Sequence, residues 1–219
     1  MPTLPLECPF ESAARARGAR TVAGVDEVGC GPWAGPVLAC AAILRAPAPP
    51  ELDDSKRLTR RRREALEPLL LAICDAGFGE ASVAEIDAMG IRPATHLAMR
   101  RAVAALPRPP DHLLIDGRDR PGGIDRPCDM IVRGDGRAPA IAAASVLAKL
   151  RRDRGMVALS QQHPGYGWER NAGYGTAGHR EALDRHGVTP HHRRSFAPVR
   201  YMLCRRPLPQ SCPDRPVDG

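Results

Sequence analysis

Four acidic residues stand where a carboxylate can do chemistry. Asp26 and Glu27 close the apolar run Val22-Ala-Gly-Val and open a loop, Val28-Gly-Cys-Gly-Pro-Trp-Ala-Gly-Pro36, crowded with glycine and proline. Asp116 follows Leu113-Leu-Ile and precedes Gly117, and Asp135 lies inside Arg133-Gly-Asp-Gly136. Carboxylates at strand ends can meet in the crevice beyond a sheet. Gathered there they repel one another unless divalent cations neutralise them. Oxygen-only ligands select Mg²⁺ or Mn²⁺ over zinc. Two such ions, about 3.5–4 Å apart, can clamp the attacking and leaving oxygens of an in-line phosphoryl transfer. Taken singly, Asp116 also reads as a strand-ending turn and Asp135 as an Asp-Gly turn. Geometry adds a constraint, because neighbours on a strand point to opposite faces. Asp26 and Glu27 therefore share a site only where the chain bends or bulges.

The elements that must position these acids follow from periodicity. A loose N-terminal arm is expected over residues 1–20, with a short helix around Phe10–Arg17. Thr21–Asp26 and Val37–Leu44 read as antiparallel strands joined by the glycine loop. Ala65, Leu66, Leu69, Leu70 and Ile73 mark a helical stripe that Gly77 is expected to end. Phe78–Val83 reads as a third strand, and Ser82-Val-Ala-Glu85 has the form of a capping box. Pro93 suits the first turn of a helix carrying Met99, Ala102, Val103 and Leu106, which Pro107–Pro110 stops. His112–Asp116 and Asp129–Arg133 read as strands, and 138 to about 160 as a long helix with a small-residue face. A glycine-rich loop, a helix over 177–185 and the cluster His191-His-Arg-Arg-Ser-Phe196 come next. Antiparallel strands followed by alternating strands and helices predict an α/β fold, a mixed sheet covered by helices. The expected division is an arm (1–20), a catalytic domain (21–204) and a disordered, proline-rich tail (205–219).

Composition narrows the function classes. The chain has 219 residues, 43% of them hydrophobic but only 4% aromatic, so its core must be aliphatic. Val37–Leu44, its longest strongly apolar run, is far too short to cross a bilayer, and the N-terminus lacks the pattern of a signal peptide. A cytoplasmic protein with no membrane association is expected. Seven cysteines without a Cys-x-x-Cys pair argue against a disulfide framework and a zinc site, and the histidines read as solvated or hydrogen-bonding residues. The net charge of +7 favours a polyanionic partner. Of the 32 basic residues only Lys56 and Lys149 are lysine. Such scarcity points to positions that need a compact ammonium, at the rim of the active site.

The motifs together resemble one family. Asp26-Glu-x-Gly-x-Gly-Pro-x-Ala-Gly-Pro-Val, Asp54-Ser-Lys56-x-Leu58, Leu-Ile-Asp116-Gly and Gly-Asp135 stand in the order found in the type 2 ribonucleases H, the ribonuclease HII family. The same holds for Ile141-Ala-Ala-Ala-Ser-Val-Leu-Ala-Lys149 with Arg152-Asp-Arg154, for Gly173-Tyr-Gly-Thr176 and for His192-Arg-Arg-Ser-Phe196. The resemblance spans about residues 20–200. It implies a ribonuclease H-like mixed sheet flanked by helices, with a helical C-terminal extension. The implied substrates are RNA–DNA hybrids and duplex DNA containing single ribonucleotides. Cutting would fall on the 5′ side of the ribonucleotide, leaving 3′-hydroxyl and 5′-phosphate ends. Asp26, Glu27, Asp116 and Asp135 would be catalytic ligands to two divalent ions, Mn²⁺ or Mg²⁺. Gly29, Cys30 and Gly31 would read the 2′-hydroxyl, and Tyr174 would stack on the adjoining deoxyribose. Lys56, Lys149, Arg193 and Arg194 complete the expected substrate-binding set. The family commonly has arginine where this chain has Cys30, which removes a phosphate contact. A non-catalytic nucleic-acid-binding module would explain the charge but not four acids in a basic chain. The related ribonuclease HIII carries an extra N-terminal domain, for which about 20 residues before the first strand are too few. The chain is expected to be a monomer.

Overall fold

The structure, a computed structural model, describes residues 8–205. Helix α1 (Pro9–Ala16) is followed by the antiparallel pair β1 (Val22–Val28) and β2 (Val37–Leu44). Next come α2 (Arg60–Ile73), β3 (Cys74–Ala81), α3 (Val83–Met89) and α4 (Ile91–Ala104). Strands β4 (His112–Asp116) and β5 (Cys128–Ile131) precede the long helix α5 (Pro139–Gln162). The helices α6 (Trp168–Asn171), α7 (Ala177–His186) and α8 (Ala197–Arg205) form the expected C-terminal extension. The five strands make one mixed sheet in the order β3-β2-β1-β4-β5. β1, β4 and β5 run parallel, while β2 opposes both β1 and β3.

That topology positions the site. Because β1 sits at the centre with β4 and β5 parallel to it, Asp26, Glu27, Asp116 and the segment after β5 all lie at one end of the sheet. The sheet is buried on both faces. One side packs Ala23, Val25, Ala39, Ala41, Leu113 and Ile115 against α4. The other packs Leu38, Cys40 and Ala42 against α2 and the Ala142–Ala144 stretch of α5. A third, smaller core of Met156, Tyr166, Trp168 and Leu183 ties the C-terminal helices to Ala34 of the glycine loop.

Three expectations need correction. The arm is not loose over residues 8–20, since Cys8 and Ala14 are buried with Val22, Leu114 and Ile141. Helix α2 ends at Ile73 and β3 begins at once, so Gly77 is a strand residue. Its role is close approach: a Cβ on Gly77 would lie 2.3 Å from the Ala102 carbonyl of α4, and one on Gly79 2.1 Å from that of Ala98. Strand β5 is Cys128–Ile131 rather than 129–133. The capping box at Ser82 forms as expected, with both Glu85 hydrogen bonds in place. The tail expected to be disordered lies, beyond Arg205, outside the described residues.

Candidate active site

Asp26 and Glu27 lie near the end of β1, before Val28, without any bulge, their pairing with Cys40 and Ala39 being regular. The two side chains accordingly leave on opposite faces, and they share a site because the sheet ends there. Asp26 is buried on the α5 side, where the Ser145 hydroxyl hydrogen-bonds to it and in turn meets Ser55 Oγ at 2.8 Å. Glu27 faces a cavity of about 220 Å³ that is also lined by Asp116, Cys30, Thr95 and His96. Asp116 Oδ1 accepts the Gly134 amide at 2.6 Å, which draws the turn carrying Asp135 against the end of β4. Asp135 is buried in a 3-10 turn, Gly134–Gly136, where Lys56 Nζ approaches its Oδ2 at 3.3 Å.

The acids feel one another. Burial pushes the Asp26 carboxyl well above the usual carboxylate range, and the charges of Glu27 and Asp116 add to the effect. Burial brings Glu27 up to about 7, with Asp116 the next cause. Asp135 is raised by burial and by Asp54, against the pull of Lys56. Glu27 Oε2 is buried without a hydrogen-bond partner. A buried carboxylate oxygen without a donor, close to other carboxylates, is suited to a hard cation such as Mg²⁺ or Mn²⁺. Among the described residues no three acidic, histidine or cysteine side chains form a ready metal cage, so a cation would have to draw the carboxylates inward. The residues fit a divalent metal in chemistry and sign of charge.

Beside the acids, the glycine loop is held from beneath by two buried arginines. Arg193 donates from Nε to Gly35 O (2.9 Å), from Nη1 to Cys30 O (2.9 Å) and from Nη2 to Gly29 O (2.6 Å). Arg152 donates to the carbonyls of Pro36, Ala172 and Ala34 at 3.0–3.3 Å. A trans peptide points its C=O and N–H in opposite directions. Drawing the Gly29 and Cys30 carbonyls inward therefore turns the amides of Cys30 and Gly31 outward. Gly29 has φ +93°, and a Cβ there would lie 2.1 Å from Arg152 Nε. Both space and backbone conformation demand glycine.

Arg193, expected among the substrate contacts, is fully buried and acts on the loop instead. Burial, with Arg152 nearby, lowers it to about 10, so it stays charged at neutral pH. Arg194 is exposed, with its amide donating to Asp87. Tyr174 is 47% exposed, and a Cβ on Gly31 would come within 3.4 Å of its ring, so ring and loop form one surface. Cys30 Sγ lies 3.4 Å from Thr95 Oγ1, and burial followed by Glu27 raises its pKa, which leaves it a neutral filler. Lys56 reaches the carboxylates, whereas Lys149 pairs with Asp153 on its own helix at 2.6 Å. Arg152, Ser145 and Ser55 carry roles that sequence reasoning did not assign. The usable signal was helical spacing, since Ser145, Arg152 and Met156 share the buried face of α5.

A sequence profile described as Ribonuclease HII matches residues 23–199. The Ribonuclease HII of Paracoccus denitrificans is 60% identical over 197 residues, covering 90% of this chain and 94% of that one. Among solved structures, the ribonuclease H2 of Pyrococcus horikoshii superposes with a TM-score of 0.71 at 24% identity, covering 84% of this chain and 98% of its own. Bst-RNase HIII in complex with Mn²⁺ gives a TM-score of 0.62 at 20% identity, covering 90% and 75% respectively.

Proposed function

The chain belongs to the ribonuclease HII family and is a type 2 ribonuclease H, an endonuclease acting on RNA–DNA hybrids, and we propose that it also cuts single ribonucleotides embedded in duplex DNA. Cleavage falls on the 5′ side of the ribonucleotide and leaves 3′-hydroxyl and 5′-phosphate ends. The observation that carries this reading is the end-of-sheet acid cluster, with its raised carboxyl pKa values and orphan Glu27 oxygen, beside outward-turned amides. Asp26, Glu27, Asp116 and Asp135 would hold two divalent ions, Mg²⁺ or Mn²⁺. These would supply the positive charge that activates the attacking water and stabilises the leaving oxygen. Lys56 tethers Asp135 and offsets the repulsion within the cluster.

The Cys30 and Gly31 amides, fixed by Arg193, are placed to meet a 2′-hydroxyl, the group that separates RNA from DNA. Tyr174 stacks on the deoxyribose that follows, and Arg194 contacts phosphate from the rim. A DNA duplex with one ribonucleotide, incubated with Mg²⁺ or Mn²⁺ and sized at nucleotide resolution, tests the proposal. The expected product ends one nucleotide before the ribonucleotide in a 3′-hydroxyl that a polymerase extends. Cutting on the 3′ side, or cutting that survives EDTA, overturns it.

A further inference from the structure

Behind the glycine loop lies a buried pair of histidines that the cleavage chemistry does not use. His179, in the first turn of α7, and His192, beside Arg193, are both inaccessible to solvent, with their Nε2 atoms 3.0 Å apart. Their neighbours fix every proton on the two rings. The Thr189 amide, which can only donate, meets His192 Nδ1 at 3.0 Å, so that nitrogen accepts and the proton of a neutral ring sits on Nε2. The Trp168 indole N–H, also only a donor, meets His179 Nε2 at 3.1 Å, so that nitrogen accepts too. His192 Nε2–H therefore donates to His179 Nε2. The remaining proton, on His179 Nδ1, is donated to the Tyr174 carbonyl at 2.9 Å. The pattern is directional, from Thr189 through both rings to Tyr174, with the Trp168 and His192 donors sharing the one lone pair of His179 Nε2.

Both ends of this chain touch the site. The segment carrying His192 pairs with Ala34, and the amide of Gly35 donates to the His191 carbonyl. At the other end, the Gly173 carbonyl accepts the amide of Trp33 at 2.8 Å. The two segments that grip the glycine loop are thus joined to each other through the imidazoles. We propose that His179 and His192 form a neutral hydrogen-bond relay that sets the position of Tyr174 against the glycine loop, making them positioning residues for recognition of the RNA–DNA junction. The proposal rests on the reading of Tyr174 as the residue that stacks on the deoxyribose.

The test compares cleavage at a single ribonucleotide in duplex DNA with cleavage of a uniform RNA–DNA hybrid. Tyr174→Ala should lower the ratio of the two rates, and a folded His179→Leu should lower it comparably, by up to about 100-fold for a misplacement near 1 Å. His179→Gln, whose amide can both accept and donate, should recover part of the loss. Adding His179→Leu to Tyr174→Ala should change the ratio no further, because both act through one ring. If Tyr174→Ala leaves the ratio unchanged, the stacking reading fails and the proposal falls with it. If Tyr174→Ala lowers the ratio while a folded His179→Leu does not, the relay alone fails. ¹⁵N NMR of the unmutated protein tests the relay without any variant having to fold. The Nδ1–H tautomer at His179 and Nε2–H at His192 are expected between about pH 6 and 8, around the ordinary histidine range. The opposite tautomers, or an imidazolium at either ring, would overturn the relay.

Discussion

Single residues carry the sharpest expectations. Asp116→Asn and Asp135→Asn each remove one negative ligand while preserving shape. Turnover should fall by at least about 100-fold, given the several kcal/mol that metal charge contributes to such transition states. Duplex affinity, which rests on phosphate contacts, should hold. Near-normal turnover in either variant would remove that residue from the cluster. Lys56 is 79% exposed, so its pairing with Asp135 contributes below about 1 kcal/mol to stability. Lys56→Arg should leave the melting temperature unchanged and lower cleavage several-fold, because a planar fork cannot replace a compact ammonium beside Asp135. Activity within about a factor of two of the parent would count against that argument. The carboxylates were legible as a set through the ordered motifs around them, since taken singly Asp116 and Asp135 read as turn residues. Arg152 and Arg193 were not. In a chain this rich in arginine, a buried guanidinium serving backbone carbonyls looks like any surface arginine.

Elements were read well where periodicity was strong and poorly where glycine had two meanings. Gly77 looks like a helix stop in one dimension, yet it and Gly79 mark where α4 lies directly on β3. Gly79→Ala should therefore destabilise the protein by more than about 1 kcal/mol, since backbone rather than a flexible side chain stands 2.1 Å away. A melting temperature equal to the parent's would show that the contact can relax. The junction between the C-terminal segment and the glycine loop gives a pH signature. Burial, with His179 next, depresses His192 from 6.5 to about 3. Below pH 6.5 the unfolded chain takes up a proton that the native ring refuses, so stability is lost as pH falls from there toward 3. At about pH 5 the loss is about 2 kcal/mol. His192→Gln should flatten the melting temperature against pH in that window relative to the parent. An unchanged slope would mean that the ring titrates normally.

For the molecule as a whole, a net charge of +7 sits on a protein whose site is acidic. Binding should come from arginines around the carboxylates, so affinity for a hybrid should fall steeply between about 50 and 200 mM salt. A flat salt dependence would contradict this. EDTA should abolish cleavage and leave most of the binding. Arg193 meets the carbonyls of Gly29 and Cys30 across 164 and 163 positions of sequence. That span has a consequence for synthesis. A chain emerging from the ribosome displays its glycine loop near the start and all four carboxylates by Asp135, yet the guanidinium that orients the loop is still to be translated. Until it arrives, the nascent protein can adopt much of its sheet without gaining a reader of ribose. A fragment that stops short of Arg193 should thus be a folded-looking but indiscriminate or silent nuclease, and competence should begin only as the last part of the chain is made.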